Sequence, residues 1–291
     1  MNEKTAPFRF FSPWLLLLTA VWLLIYLLVF PHPGELFLKN WPLIFIGILG
    51  AIIGNMTAIG GGIVFIPVLM FFYKTDPMSA LKLSFVTQAV GMTSGATGWL
   101  QRKEVPVDLL KWTIPPLVLG TIVSTFVFHP QPIMVKGLFG PISFLVGILT
   151  LILLNRKGHL DALPSKAMLP VFFVSFIGGM ITGWVAIGEG EIIAAFCMLA
   201  YGLNANKAVG LGVVLLSVNS ILLALLHSLY FGGVPWEMAM FTMISVLWGG
   251  RMGPMLAAKV SSKTVKRIFA WIAVLDGLVI MFQVAKVWWM K

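Results

Sequence analysis

The sequence predicts an all-α integral membrane protein. It reads as two inverted repeats, each a glycine-broken helical hairpin plus three helices, preceded by one extra N-terminal helix. Three observations predict this. Only 10% of the residues are charged and 59% are hydrophobic, whereas soluble domains carry about 25% charged residues. Two glycine-rich breaks, Gly50–Gly62 and Gly178–Gly190, interrupt long apolar runs. The halves also align at a fixed offset of 128 residues: from 50 to 96 there is no gap and 13 of 47 positions match. The breaks therefore fall at corresponding places in a duplicated chain.

The elements follow in order. Trp14–Phe30 is a retained transmembrane helix rather than a leader, because its apolar run exceeds a typical signal core and no small-residue cleavage site follows. The apolar segments 41–73 and 168–201 are too long for one crossing of about 20 residues. Each reads as a hairpin of two shorter helices, 41–57 with 63–73 and 168–184 with 189–201. The remaining segments, 78–100, 112–128, 137–154, 208–229, 237–258 and 268–285, are single spans. This divides the chain into an N-terminal helix and loop (1–40), a first repeat (41–154), a cytoplasmic linker (155–167) and a second repeat (168–291).

Orientation comes from the basic residues. The net charge of +10 points to loop asymmetry rather than nucleic acid, because Lys and Arg sit in short loops between apolar runs. With both hairpins returning to their own side and a cytoplasmic N-terminus, 13 basic residues lie inside and 6 outside, as the positive-inside rule requires. In that count Lys82 falls in an outer loop, and Lys4, Arg9, Arg156 and Lys157 lie inside. The C-terminus is then outside, and the two breaks point in opposite directions. Inverted repeats with interrupted helices place a transporter's binding site at the breaks.

The chemistry expected there is anion binding. A helix starting at a break exposes unpaired N–H groups and the positive end of its dipole, and glycine lets a ligand approach the backbone. Candidate substrate-binding residues are Asn55, Thr57, Gly60, Gly61 and Gly62 at the first break, and Thr182, Gly188 and Gly190 at the second. Mid-helix Gln88, Ser217 and Asn219 and intramembrane Arg251 complete the set. The second break differs in carrying Glu189 and Glu191 where the first has Gly61 and Ile63. Ionised acids repel an anion, whereas a protonated carboxyl admits it. Glu189, Glu191 and the intramembrane Asp276 are therefore proton-coupling candidates, with helix capping the competing role for the two glutamates. His129 and His227 read as interfacial. The four histidines are dispersed and the single cysteine is Cys197, so neither a metal site, a cofactor, a disulfide nor an enzyme constellation is expected.

The order of these motifs resembles the sulfite exporter TauE/SafE family, also called the toluene-sulfonate uptake permeases. It rests on Gly50–Gly62 followed by Val64-Phe-Ile-Pro-Val-Leu69 and Ala80-Leu-Lys-Leu-Ser84. It continues in Lys207-Ala-Val-Gly-Leu-Gly212, Val234-Pro-Trp236 and Gly249-Gly-Arg-Met-Gly253. The chain departs from the family where Gly188-Glu-Gly-Glu191 replaces a second glycine run. The resemblance implies secondary transport of a small sulfur-containing anion, with protons as the coupling ion suggested by the acids, in a bacterial or archaeal cytoplasmic membrane. A passive anion channel and a membrane scaffold using the glycines only for packing are the competing readings.

Overall fold

The computed structural model describes residues 13–128, 132–155, 160–183, 186 and 188–289. The sequence features at Lys4, Arg9, His129, Arg156, Lys157 and His159 lie outside them. Twelve α-helices follow one another among the described residues: α1 Pro13–Val29, α2 Pro33–Asn40, α3 Pro42–Thr57, α4 Gly62–Phe71, α5 Pro77–Gln101 and α6 Val107–Val123, then α7 Pro132–Ile152, α8 Met168–Thr182, α9 Glu189–Tyr201, α10 Ala205–Leu226, α11 Trp236–Ala258 and α12 Ser262–Trp289. One isolated bridge, Leu160 to Leu203, is the only extended pairing among the described residues. The fold is all-helical, and the apolar spans make it a multi-pass membrane protein.

Four helical stretches are long and apolar enough to cross a membrane alone: Val107–Val127, Ser165–Thr182, Ala205–Tyr230 and Ser262–Val287. The others are shortened by the breaks or diluted with small polar residues. α5 and α11 run for 25 and 23 residues, but glycine, serine and threonine lower their mean hydropathy. Residues 31–40, expected as loop, instead form α2, which turns back 118° from α1. Pro33 opens α2 at a first-turn position where its missing N–H costs nothing.

The two hairpins break in the same way. Ala58 and Ala186 both adopt the left-handed conformation, with φ of 58° and 57°, and Gly60 and Gly188 follow two residues later at φ 93° and 118°. The offset between copies is again 128. A left-handed alanine costs about 1–2 kcal/mol, so each hairpin retains the same local strain. The helices after the hairpins are capped at matching positions too. Asp76 accepts hydrogen bonds from the N–H groups of Met78 and Ser79 at 3.1 and 3.0 Å, and Asn204 accepts one from Asn206 at 3.0 Å.

Packing holds the hairpins inside the bundle. α3 lies along α11, α8 along α6, α5 along α10 and α11, and α7 along α12. Small residues let these backbones touch, as membrane helices require in the absence of a hydrophobic drive between them. A Cβ on Gly120 of α6 would lie 2.1 Å from the Phe176 carbonyl oxygen of α8. One on Gly277 of α12 would lie 2.5 Å from the Phe144 nitrogen of α7. α1 stays peripheral: Trp22 donates to the Met240 carbonyl and Trp248 to the Thr19 hydroxyl, pinning it to α11. Its other faces are largely exposed apolar residues.

Two expectations are corrected. Lys82 is not in a loop; it lies within α5 and is only 8% exposed. His227 is not interfacial; it is 1% exposed, with its ring 4.8 Å from that of Phe85. Both errors have one cause. A polar residue lowers windowed hydropathy and so suggests a span end, whereas here helix partners bury it.

Candidate transport site at the two helix breaks

The two breaks meet. A Cβ on Gly190, in the first turn of α9, would lie 2.5 Å from the Ala58 carbonyl oxygen of the first break. Ala58 packs with Val213 and Leu216 of the second half, and Ala186 packs with Ile66, Leu81 and Phe85 of the first. Each break therefore rests on the opposite half of the chain. Gln88 ties them polarly: its Nε2 donates to the Ala186 carbonyl at 2.7 Å, and Ser220 donates to its Oε1 at 3.4 Å. The strained Ala186 turn leaves that carbonyl without a helical partner, and Gln88 supplies one.

The acids gather behind the second break. Glu189, Glu191 and Asp276 are all 0% exposed. Glu189 opens α9 but makes no cap hydrogen bond to it. Its Oε2 instead accepts from Asn219 Nδ2 at 2.6 Å, and the Asn219 Oδ1 accepts from Thr121 at 2.6 Å. Thr182 donates to the Gly178 carbonyl at 3.0 Å and faces the Glu189 carboxyl as well. Glu191 points towards α7 and α12. The Ser143 oxygen lies 2.7 Å from Glu191 Oε1, 3.1 Å from Asp276 Oδ2 and 3.0 Å from the Ala273 carbonyl oxygen. Glu191 Oε2 has no hydrogen-bond partner, and no ion pair to Glu189 or Glu191 occurs among the described residues.

Other predicted residues play different parts. Asn55 donates to the Ala51 and Gly91 carbonyls at 2.8 and 3.3 Å, and its own carbonyl accepts from Trp99 at 2.9 Å. It pins α3 to α5. Thr57 donates to Ile53 and closes the end of α3. Gly60, Gly61 and Gly62 form the turn into α4. A cavity of about 10 Å³ beside them is lined by Asn55, Gly61, Thr87 and Gln88, room for about one water. The meeting point is thus closed to anything larger in this conformation. Ser217 pairs with Thr93 at 2.8 Å, near the breaks. Arg251 is not brought to them. It donates to Thr97 and Gln101 at 2.8 Å each, and Thr97 sits about 14 Å along α5 from Gln88 by the helical rise.

Sequence reasoning missed Ser143, Thr121 and Lys82. Lone hydroxyls in apolar helices α7 and α6 were the available signal for the first two. Lys82 lies near Gly233 and His227 on the other side of the second break, and His227 bonds the Gly183 backbone there.

With this geometry in hand, comparison with known proteins is decisive at the family level. The model of the sulfite exporter TauE/SafE family matches residues 43–280. The chain belongs to that family. Among TauE/SafE relatives, the probable membrane transporter protein YunE of Bacillus subtilis (strain 168) is 22% identical over 270 residues, covering 83% of this chain and 97% of that protein. The probable membrane transporter protein YjnA of the same organism is 25% identical over 248 residues, covering 79% and 94%. No solved structure matches the chain. The TauE/SafE match spans both breaks, Ser143 and all three buried acids, and leaves out α1 and α2.

Proposed function

We propose that this TauE/SafE protein is a proton-coupled secondary active transporter, exporting a small sulfur-containing anion such as sulfite or an organosulfonate. The observation that carries the reading is the meeting of the two strained breaks at Gly190 and Ala58, with buried acids directly behind. The two halves act as inverted repeats. Exchanging them maps the pairing of α3 with α11 onto that of α8 with α6, and the matched turns and caps fit the same duplication. Each repeat contributes one helix start, α4 or α9, whose free N–H groups favour an anion. Closed packing at the meeting point opposes a standing channel. Admission of cargo then requires the hairpins to part, first towards one side and then towards the other.

Proton coupling follows from counting protons at Ser143. Its hydroxyl has one proton and three acceptor oxygens within 3.1 Å. It donates to one of them. The remaining carboxyl contact is attractive only if that carboxyl carries a proton and donates to Ser143. Glu191 and Asp276 together thus hold at least one proton. Its departure puts a charge in the first turn of α9, one residue from Gly190 and two from Glu189. That charge repels the anion at the breaks and drives its release.

The cargo test is counterflow in proteoliposomes with a panel of sulfite, methanesulfonate, acetate and chloride. Sulfite or sulfonate exchange well above acetate and chloride is expected. Equal exchange of all four, or none, contradicts the cargo assignment.

A further inference from the structure

Away from the breaks, the loop before α11 joins the ends of α2 and α4 to enclose a cavity of about 420 Å³. Its wall includes Lys39, Asn40, Tyr73, Thr75, Trp236 and Glu237. The basic-residue count places this end of the bundle outside the cell.

We infer that this cavity binds a small molecule carrying both an ammonium and an acidic group. Lys39 and Glu237 supply opposite charges on one wall, and no ion pair joins them among the described residues. A plain anion is drawn by Lys39 and repelled by Glu237; a plain cation meets the reverse. A zwitterion satisfies both. Asn40 adds the selective group. It is 1% exposed, yet neither its Nδ2 nor its Oδ1 has a hydrogen-bond partner. A buried amide left unsatisfied is costly and calls for an explanation. A zwitterion offers what both atoms lack: an oxyanion to accept from Nδ2 and an ammonium to donate to Oδ1. Trp236 and Tyr73 supply aromatic faces suited to an ammonium, and the volume falls in the range of small-molecule sites.

The corresponding place in the other half is closed. The positions matching Lys39, Asn40 and Thr75 are Ala167, Met168 and Leu203, of which Ala167 and Leu203 are buried in the core. The polar set therefore does not follow from how a repeat packs. It is confined to one end.

The shared chemistry comes from two sources, a free amino acid-like solute or the headgroup of an aminophospholipid at the membrane surface. The test uses the full chain in nanodiscs of phosphatidylglycerol alone, with thermal unfolding read against added β-alanine, propionate and ethylamine. β-Alanine is expected to raise Tm saturably, and its two half-molecules to act about tenfold more weakly, as for one lost charged contact. Asn40→Leu and Glu237→Gln should each weaken the β-alanine response by about tenfold. Asn40→Leu should leave the unliganded Tm at or above that of the parent, because it removes an unsatisfied buried group. If phosphatidylethanolamine added to the discs weakens the β-alanine response, the occupant is the headgroup; an unchanged response assigns a free solute. An equal response to propionate, no response to β-alanine, or variants that respond like the parent overturns the inference. None of these readouts depends on transport, so failure here is separable from failure of the coupling reading.

Discussion

Ala58 and Ala186 define the site most sharply at the level of single residues. Both are left-handed and fully buried, and a β-branched side chain tolerates that backbone poorly. Ala186→Val should lose about 1–3 kcal/mol of stability, read as a lower thermal midpoint in detergent, whereas Ala186→Gly should keep the hairpin. Ser143 is the second decisive residue. In the Ser143→Ala protein the bridge between Glu191 and Asp276 is gone, and the infrared carboxyl band of a hydrogen-bonded protonated acid should shift. An unchanged band in Ser143→Ala, Glu191→Gln and Asp276→Asn alike would contradict the shared proton. The acids were legible in sequence because an ionisable residue in an apolar helix stands out. Ser143 was not, because a hydroxyl satisfied by its own helix is common and only the fold brings three oxygens to it.

The hairpins were largely readable as elements. Glycine runs inside apolar sequence placed both breaks, and α3 with α4 and α8 with α9 follow the expected division closely. α2 was not foreseen, since Pro and Gly before it signal a turn equally well. The same limit applies to the cavity that α2 helps to form. The helix starts after the hairpins allow a controlled comparison. Asp76 caps α5 and Asn204 caps α10 at matching positions. Hydrogen bonds from Ser79 and Met78 hold the Asp76 carboxyl below its usual range. A depressed folded value means that this cap contributes fully above the unfolded pKa of about 4 and fades as pH falls through the folded one. The neutral Asn204 cap has no such dependence. Asp76→Asn should therefore remove a small acid-dependent loss of stability. Asn204→Ala should cost about 1 kcal/mol at any pH. The meeting of the hairpins is testable in the same way. Gly190→Ala puts a methyl group against the Ala58 carbonyl, and transport should fall by more than stability does. Equal transport by Gly190→Ala and the parent would contradict the contact.

For the whole molecule, the duplication and the basic-residue asymmetry together assign opposite directions to the two breaks. That topology is open to a labelling test, because the single native thiol, Cys197, is buried. A cysteine replacing Lys74 should react with a membrane-impermeant thiol reagent in intact cells, and one replacing Lys103 only after lysis. The reverse pattern would invert the orientation. Arg251 shows where sequence reasoning loses reach at this scale. It sits in a glycine-rich motif and looks like an anion ligand, but its place in the fold is fixed by the α5–α11 contact, and Thr97 and Gln101 take its guanidinium. The account as a whole depends on coupling between the closed pair of breaks and the acids behind them. Its most direct test is sulfite movement in proteoliposomes under an imposed pH gradient, comparing the parent with Glu189→Gln and Glu191→Gln. Gradient-driven accumulation by the parent, and its loss in both variants with counterflow retained in at least one, is the predicted result. Accumulation by the variants equal to the parent's, or none by a parent active in counterflow, would contradict it.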